Sequence, residues 1–414
     1  MSVRDQFREL PPVKGSRRFL DAFGPGLLFA ATIFGAGSTY ILASSGAQYG
    51  FTLLWMLPLA GLTDLGMREM AGRLGAIDKP LMEYIRNTIG PGPSKALSLL
   101  IAFIMHFWAI SNYAIAGAML AWLTPLNNIY IGVIIAAGIG IALLELQVYD
   151  RIEFAIALMV GTIFGIYLIL MFDLSLPVQK VASGLVPTIQ RLDISYLTLL
   201  IGILGTTVYY PNFFIQSSMQ SSKGWSEISQ YRRDNIVGII FVIILSLAVM
   251  AVTAATLEPH TPTLVGPGQP LSQILGGYAL IAFAIATLLA SFSSATGTLF
   301  GAGYLVPQAW GRETIFGDRA FRRVVEVLIG MSVVFIIALL EFTSFTPVRL
   351  GITMPAINGV IGLPITALAL YFANRKFFDH PLWMRVCFGI VVVVMFALAL
   401  LTAQGLYDQI IAWL

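Results

Sequence analysis

Charged residues are scarce in this sequence, and cysteine is almost absent. Only 11% of the 414 residues are Asp, Glu, Lys or Arg, whereas an ordinary soluble domain has roughly a quarter. The single cysteine, Cys387, excludes a disulfide framework and a cysteine metal cluster. The sequence also contains no phosphate loop, nucleophile elbow or zinc-helix motif, so we predict no enzymatic activity.

Hydrophobic residues make up 57% of the chain and are arranged in long runs. Each run has about 20 residues, the length needed to cross a hydrocarbon layer of ~30 Å. We therefore predict an all-α integral membrane protein with eleven transmembrane helices, called spans 1 to 11 below. Their approximate bounds are 23–45, 50–74, 96–121, 127–146, 153–174, 194–220, 235–257, 271–304, 321–341, 347–373 and 384–412.

The 24 Lys and Arg residues are distributed unevenly along the chain. All but Lys180, Arg191 and Arg349 lie in the first 22 residues or near the loops that follow spans 2, 4, 6, 8 and 10. Positive residues accumulate on the cytoplasmic side of a membrane. The pattern predicts a cytoplasmic tail at residues 1–22, a cytoplasmic N-terminus and a C-terminus outside.

Spans 1 and 6 are each interrupted by residues that break helices. The interruptions are Gly35-Ala36-Gly37-Ser38-Thr39 in span 1 and Thr206–Asn212, which contains Pro211, in span 6. In hydrocarbon, such breaks persist only where the freed backbone lines a cavity inside the protein. Two broken helices therefore predict a solute site near the middle of the membrane.

The two breaks occupy the same place in two successive blocks of five spans. An odd number of spans per block makes the second block enter the membrane in the opposite sense, which gives an inverted repeat. We predict a first repeat at residues 23–174, a second at 194–373 and an appended eleventh helix at 384–412. Two external connections, 173–193 and 258–270, are predicted as ordered loops without helix because of their prolines.

The backbone at the breaks suits more than one kind of ligand. Each half-helix start presents free N–H groups and partial positive charge, which attract anions, and each half-helix end presents carbonyls, which suit a small cation. Ser38 or Thr39 is predicted as the N-cap of the outer half of span 1. Neither break contains Asp, Glu, His, Cys or Met, which argues against a dehydrated transition metal. A monovalent cation, a hydrated divalent cation and an anion remain open.

Several segments spread over nearly the whole chain match motifs of a known family. They are Gly24-Pro25-Gly26, Ala30-Ala31, Gly46-Ala47-Gln48-Tyr49-Gly50, Leu54-Trp55, Tyr149-Asp150-Arg151-Ile152-Glu153, Ser293-Ser294-Ala295-Thr296-Gly297-Thr298 and Leu363-Pro364. These segments resemble the Nramp family of divalent-metal transporters. The resemblance implies an eleven-span LeuT-like fold, transport by alternating access and residence in a bacterial inner membrane.

The sequence departs from the family at its functional motifs. The family's Asp-Pro-Gly-Asn of span 1 aligns with Gly35, Ala36, Gly37 and Ser38, and its Met-Pro-His of span 6 aligns with Tyr209-Tyr210-Pro211. Two acidic positions of span 3 align with Ser111 and Ala114, and the glutamine of span 10 aligns with about Ala356, near Asn358. We therefore predict a secondary transporter that does not perform proton-coupled transition-metal uptake.

The leading prediction for the substrate is a small anion or zwitterion, such as bicarbonate, a small carboxylate or an amino acid. The Gly-x-Gly of span 1 followed by hydroxyls resembles amino-acid transporters of the same superfold, where this turn receives a substrate carboxylate. The alternative for the span 6 tyrosines is a packing or gating role. The predicted substrate-binding residues are Gly35, Ala36, Gly37, Ser38, Thr39, Asn112, Thr207, Tyr209, Tyr210, Asn212, Gln216 and Asn358.

Sodium (Na+) is a candidate coupling ion, and no other cofactor is predicted. Its ligands would come from spans 1 and 8, namely Thr32, Ile33, Ser293, Ser294 and Thr296. Small polar residues are also common contacts between membrane helices. For His106, inside span 3, a functional role and a neutral histidine hydrogen-bonded to a neighbouring helix both remain open. Asp64, Arg68 and Glu69 are interpreted as an ion-paired gate or a structural cluster.

Two further functions remain open. One is a transporter that binds a largely hydrated divalent cation, Mg2+ or Mn2+, as in a related clade that also alters this site. The other is a non-transporting membrane sensor or scaffold. The expected partners are the lipid bilayer and a small solute, with no nucleic acid, and the protein is expected to be a monomer.

Overall fold

A computed structural model describes residues 35–146, 161–162, 165–222, 228–260, 262–314 and 317–414. Within these ranges every predicted span contains helix, and no strand occurs. Span 1 is described from its break onwards and span 5 chiefly at 165–173. The helices of the spans are Ala36–Tyr49, Met56–Ala76, Pro91–Leu123, Ile129–Leu146, Ile194–Thr207 with Pro211–Ser222, Ile228–Thr256, Ala279–Ala309, Arg319–Phe342, Pro347–Ile357 with Leu363–Phe377, and Leu382–Trp413.

Seven helices in the described residues are long and apolar enough to cross a membrane on those grounds alone. They belong to spans 3, 6, 7, 8, 9, 10 and 11, and span 4 forms a shorter apolar helix. Span 2 is more polar because it carries an acidic and basic set that includes Asp64 and Arg68. The N-terminal tail, the first half of span 1 and the Tyr149–Glu153 motif lie outside the described residues.

Span 6 is broken where the sequence predicts it. Its first helix ends at Thr207, and its second begins at Pro211. Proline has no N–H to continue the first helix but is well placed in the first turn of a new one. The N–H of Asn212 donates instead to the carbonyl of Tyr209 at 3.1 Å, which closes a tight turn between the halves.

Span 10 contains an irregularity that the sequence analysis did not predict. A π-helical turn at Asn358–Gly362 separates its two α-helices. Pro355, just before it, cannot donate to the carbonyl of Gly351 one turn earlier. Such π-turns widen a helix locally and occur frequently at functional sites.

The external connections contain short helices, so the prediction of loops without helix is wrong for both. Val178–Gly184 is helical after the N-cap Pro177, and Gly266–Leu271 is a 3-10 helix that contains two prolines. The prediction was wrong because proline is tolerated at the start of a helix and in tight 3-10 turns. The second connection is tied to spans 1 and 5, because the Tyr40 and Tyr167 hydroxyls donate to the carbonyls of Leu264 and Pro267.

Candidate functional site

The outer half-helix of span 1 begins at Ala36, with Gly35 as its N-cap in extended conformation. The prediction of Ser38 or Thr39 as the N-cap is wrong. Thr39 lies inside the first turn, where its N–H and its hydroxyl each lie 3.2 Å from the carbonyl of Gly35. The break therefore lies at Gly35, which has no side chain, and Ser38 and Thr39 lie within the helix that follows.

Gly35 lies against polar side chains of spans 3 and 8. A Cβ at this position would lie 2.5 Å from Ser294 Oγ and 2.7 Å from Asn112 Oδ1. The indole N–H of Trp108 donates to Ser294 Oγ at 2.9 Å, and the Asn112 amide donates to the Trp108 carbonyl at 3.0 Å. Trp108, Asn112 and Ser294 thus form a buried, neutral polar cluster around the span 1 break.

The predicted residues of span 6 are all buried but do not all face this cluster. The ring of Tyr209 lies 4.7 Å from that of Trp108, centroid to centroid, which places Tyr209 beside the cluster. Tyr210 points elsewhere, because its hydroxyl lies 3.3 Å from the carbonyl of Ile101 and its ring fills the space beside Gly362. Tyr210 is therefore a packing residue between spans 3, 6 and 10.

Three buried amides near the breaks have polar atoms without a hydrogen-bond partner. These atoms are Nδ2 of Asn212, Oε1 of Gln216 and both polar atoms of Asn358. Each residue is at most 4% exposed. Buried polar groups are nearly always paired, so these atoms are available to bind a polar ligand or water. Asn358 begins the π-turn, whose Gly359 packs closely against Ile201 of span 6.

Two of the predicted sodium ligands already bind neighbours in span 3. Ser294 accepts from Trp108, and Thr296 Oγ1 lies 3.0 Å from the hydroxyl of Tyr113. Ser293 is buried beside them, while Thr32 and Ile33 lie outside the described residues. Sodium coupling therefore stays a prediction.

Asp64, Arg68 and His106 make their contacts outside this cluster. Asp64 and Arg68 form a buried ion pair within span 2, with 2.6 Å between carboxylate and guanidinium. His106 packs among Phe103, Phe107 and Phe335. In the described part of the chain, no group of three or more His, Cys, Asp or Glu residues could hold a metal ion.

A cavity of about 530 Å³ lies between spans 1, 3, 6, 10 and 11 and the connection before span 8. It is called the outer cavity because it lies on the side that the distribution of Lys and Arg predicts to be external. Its lining includes Gln48, Ser195, Thr198 and Arg349. The guanidinium of Arg349 donates to the carbonyl of Ser344 at 2.6 Å and lies 5.0 Å from the centre of the Trp413 ring. The positive charge of Arg349 is therefore held in place at the outer cavity.

Sequence reasoning missed Trp108 and the π-turn. Trp108 reads as one more apolar residue of span 3, and only its position four residues before Asn112 places both on one helix face. The π-turn has a weak signal in Pro355 and Pro364, which remove two helical donors near Asn358.

Comparisons with known proteins identify the family and the fold. Residues 26–404 match the family described as natural resistance-associated macrophage protein-like, or Nramp. The divalent metal cation transporter MntH of Acidiphilium cryptum is 26% identical over 389 residues, which cover 87% of this chain and 84% of the relative. The MntH of Staphylococcus haemolyticus is 24% identical over 420 residues, with coverage of 92% and 91%.

Solved structures agree with the predicted LeuT-like fold. A manganese transporter of Eremococcus coleocola superposes with a TM-score of 0.71 at 17% identity, covering 96% of this chain and 89% of that one. Mhp1, a nucleobase-cation-symport-1 family transporter, superposes with a TM-score of 0.62 at 13% identity, covering 93% and 89%. The predicted fold class is therefore confirmed.

The prediction of a small anion or zwitterion as substrate is wrong. The relatives across most of the chain are named as divalent metal cation transporters. The error came from treating the absence of acidic side chains as evidence for an anion, although neutral oxygens also suit the water shell of a cation. The chain belongs to the Nramp family of multi-pass membrane transporters.

Proposed function

We propose that this protein transports a divalent cation, Mg2+ or Mn2+, by alternating access and binds it with most of its water shell. The observation that carries the proposal is a pair of buried, unpartnered amide oxygens, Oε1 of Gln216 and Oδ1 of Asn358. Oε1 of Gln216 and Oδ1 of Asn358 are acceptors, and water bound to a cation donates its hydrogen bonds outward. The water shell of an ion would satisfy these two oxygens, each of which otherwise costs about 1–3 kcal/mol.

The charge of the site also favours a hydrated ion. Removing the water from a divalent cation without a countercharge costs tens of kcal/mol by a Born estimate. The polar cluster at Trp108, Asn112 and Ser294 offers neutral groups only. Mg2+ gives up water reluctantly and usually keeps several waters when bound. The names of the sequence relatives support a divalent metal as the cargo.

Uptake into proteoliposomes tests the proposal. We expect saturable uptake of Mg2+ or Mn2+ that hexamminecobalt(III) inhibits competitively, because this complex resembles a hydrated ion and cannot exchange its ligands. Asn212→Ala, Gln216→Ala and Asn358→Ala should each reduce uptake. Asn87→Ala changes an exposed asparagine of the helix Leu81–Ile89 and should leave uptake unchanged.

Two results would contradict the proposal. Absence of flux for any divalent cation would favour the sensor or scaffold function instead. Uptake that hexamminecobalt(III) does not affect would show that the ion must lose its water to bind.

We also propose a bacterial inner membrane as the location, with a cytoplasmic N-terminus, an external C-terminus and a monomeric protein. The distribution of Lys and Arg between the loops supports the orientation. The bacterial relatives support the membrane. Labelling of Cys387, the single and exposed cysteine near the inner end of span 11, by an impermeant maleimide tests the orientation. Labelling is expected in inverted vesicles and not in intact cells.

A further inference from the structure

An apolar groove follows the membrane-facing surface between spans 3, 8 and 9. Its volume is about 380 Å³, and Leu99, Phe103, Val306, Val327 and Met331 contribute to its lining. Leu99 and Val327 are 54% and 60% exposed, so the groove is open to the bilayer. Arg323 is the single charged residue in the lining. From Arg323 to Met331 the groove extends about 12 Å along span 9, at ~1.5 Å per residue.

A second cavity, of about 250 Å³, continues the groove towards the loop between spans 8 and 9. Both cavities are lined by Val306, Arg323 and Val324, so they are contiguous. The second one adds Trp310 and Arg312. The apolar groove therefore ends in a niche with two guanidinium groups.

A third positive charge borders this niche. The ammonium of Lys95 lies 5.4 Å from the centre of the Trp310 ring. Among the described residues, Lys95, Arg312 and Arg323 form no salt bridge. Two acids lie near them, since Glu326 interacts electrostatically with Arg323 and Glu313 follows Arg312 in the chain. The niche still has one positive charge more than these acids provide.

The end of span 8 fixes the position of Arg312. Gly311 has a φ of +76°, a left-handed conformation that glycine adopts without strain. The turn lets the N–H of Arg312 donate to the carbonyl of Pro307 at 3.1 Å, and that of Trp310 donate to the same carbonyl at 3.0 Å. Arg312 is thereby anchored below the last turn of span 8, beside the groove.

We infer that this groove and niche bind one anionic phospholipid. An acyl chain occupies the apolar groove, and the phosphate lies between Arg312 and Arg323. Trp310 lies at the level of the headgroups, where tryptophan is enriched in membrane proteins. Basic pockets between helices at the cytoplasmic surface are typical of anionic headgroup sites. The leaflet follows from the proposed orientation, whereas the headgroup chemistry depends only on the residues of the niche.

Native mass spectrometry of the full-length protein, titrated with phosphatidylglycerol, tests the inference. Each basic residue near a membrane surface contributes about 1 kcal/mol to the attraction of anionic lipid. We therefore expect Arg312→Gln/Arg323→Gln to weaken phosphatidylglycerol binding by about thirty-fold. Phosphatidylcholine with the same acyl chains should bind weakly and equally to both proteins.

Arg375→Gln is the matched control, because Arg375 is an exposed arginine at the inner end of span 10, away from the groove. It should bind phosphatidylglycerol as the wild type does. Because Arg312 and Arg323 are exposed, the double variant should keep the melting temperature of the lipid-free wild type. Equal binding of the two lipids to the wild type, or an equal loss in Arg375→Gln, would overturn the inference.

Discussion

Gly35 occupies a position where no side chain fits. A Cβ would lie 2.5 Å from Ser294 Oγ and 2.7 Å from Asn112 Oδ1, closer than carbon and oxygen atoms approach without bonding. We predict that Gly35→Ala abolishes cation uptake because it displaces the cluster around Trp108. Ser294→Gly, which removes the obstructing side chain, should restore part of the uptake in the double variant. Uptake into proteoliposomes measures both.

Gly138→Ala provides the control for that experiment. Gly138 lies within the helix of span 4, and nothing lies within 4 Å of the position its Cβ would take. The substitution should leave uptake at the wild-type rate. Wild-type uptake in Gly35→Ala would show that the break tolerates a side chain and that the described packing is not required.

His380 takes part in a contact between spans 2 and 10. Its Nε2 lies 3.2 Å from Asn374 Oδ1, and the Asn374 amide donates to the carbonyl of Met70 at 2.9 Å. Burial, followed by the charges of Arg73 and Arg385, lowers the pKa of His380 below its usual value. The unfolded chain therefore binds the proton more readily than the folded one, and the free energy of unfolding decreases as the pH falls below about 6.5.

We predict that His380→Gln reduces the loss of melting temperature between about pH 7.5 and pH 5. Thermal unfolding in detergent at several pH values measures the effect. His260→Gln, which changes an exposed histidine of the outer connection, should keep the wild-type pH dependence. If the melting temperature of His380→Gln changes with pH as the wild type's does, His380 does not contribute to the pH dependence.

At the residue scale, the sequence was enough to select several residues of the site, but it did not show which residues they contact. Gly35, Asn112, Tyr209 and Ser294 could be selected because glycine and polar residues are rare inside apolar runs. That Tyr209 and Tyr210 diverge could not be predicted, because their directions depend on the turn before Pro211. The role of Trp108 depends on a contact with Ser294, 186 positions away.

Span 2 contains a buried ion pair whose contribution to stability can be measured by substitution. Asp64 and Arg68 are one helical turn apart, and their side chains are at most 2% exposed. Removal of one partner leaves a buried charge unpaired, which costs about 3–5 kcal/mol. We predict that Asp64→Asn and Arg68→Gln each lower the melting temperature strongly. Asp64→Leu/Arg68→Met, which removes both charges, should be near the wild type.

Lys79→Ala is the control for the buried pair. Lys79 and Glu83 are also four residues apart, but both are exposed and their charged atoms are 3.8 Å apart. Such surface pairs contribute about 0–1 kcal/mol, so the melting temperature should change little. If Asp64→Leu/Arg68→Met melts at as low a temperature as the single variants, the two side chains stabilise the protein by more than cancelling each other's charge.

At the element scale, the break in span 6 was predictable and the π-turn in span 10 was not. Pro211 removes a donor and fits a helix start, so the sequence alone marks the boundary. In span 10, Pro355 and Pro364 are compatible with a kinked α-helix as well as with a π-turn. The choice depends on packing, since Gly359 lies against Ile201 and Gly362 against Tyr210.

The whole molecule was the easiest level to predict, because the bilayer restricts the solutions. Apolar runs of membrane-crossing length and matching breaks in spans 1 and 6 led to the LeuT-like fold that the structural comparisons support. The predicted substrate was wrong because the absence of charged side chains at a site does not distinguish an anion from a cation that keeps its water. The bounds of the two repeats remain a prediction.

Arg349 places a positive charge at the outer cavity. Its guanidinium is held at the outer cavity by Ser344 and Trp413. At a separation of ~10 Å in water, one such charge repels a divalent cation by about 0.8 kcal/mol. We predict that Arg349→Gln raises uptake at low cation concentration about fourfold, with the gain lost at high ionic strength. Lys180→Gln, an exposed change on the outer surface, should have a smaller effect.

The most direct measurement is the position of bound Mn2+, located by its anomalous scattering in crystals of the protein. A hydrated ion would lie about 4 Å from the nearest protein oxygen, with waters between, near Gly35, Asn212 and Asn358. Mn2+ about 2.1 Å from a carboxylate would contradict a neutral, water-mediated site. So would Mn2+ bound outside the space between the two breaks.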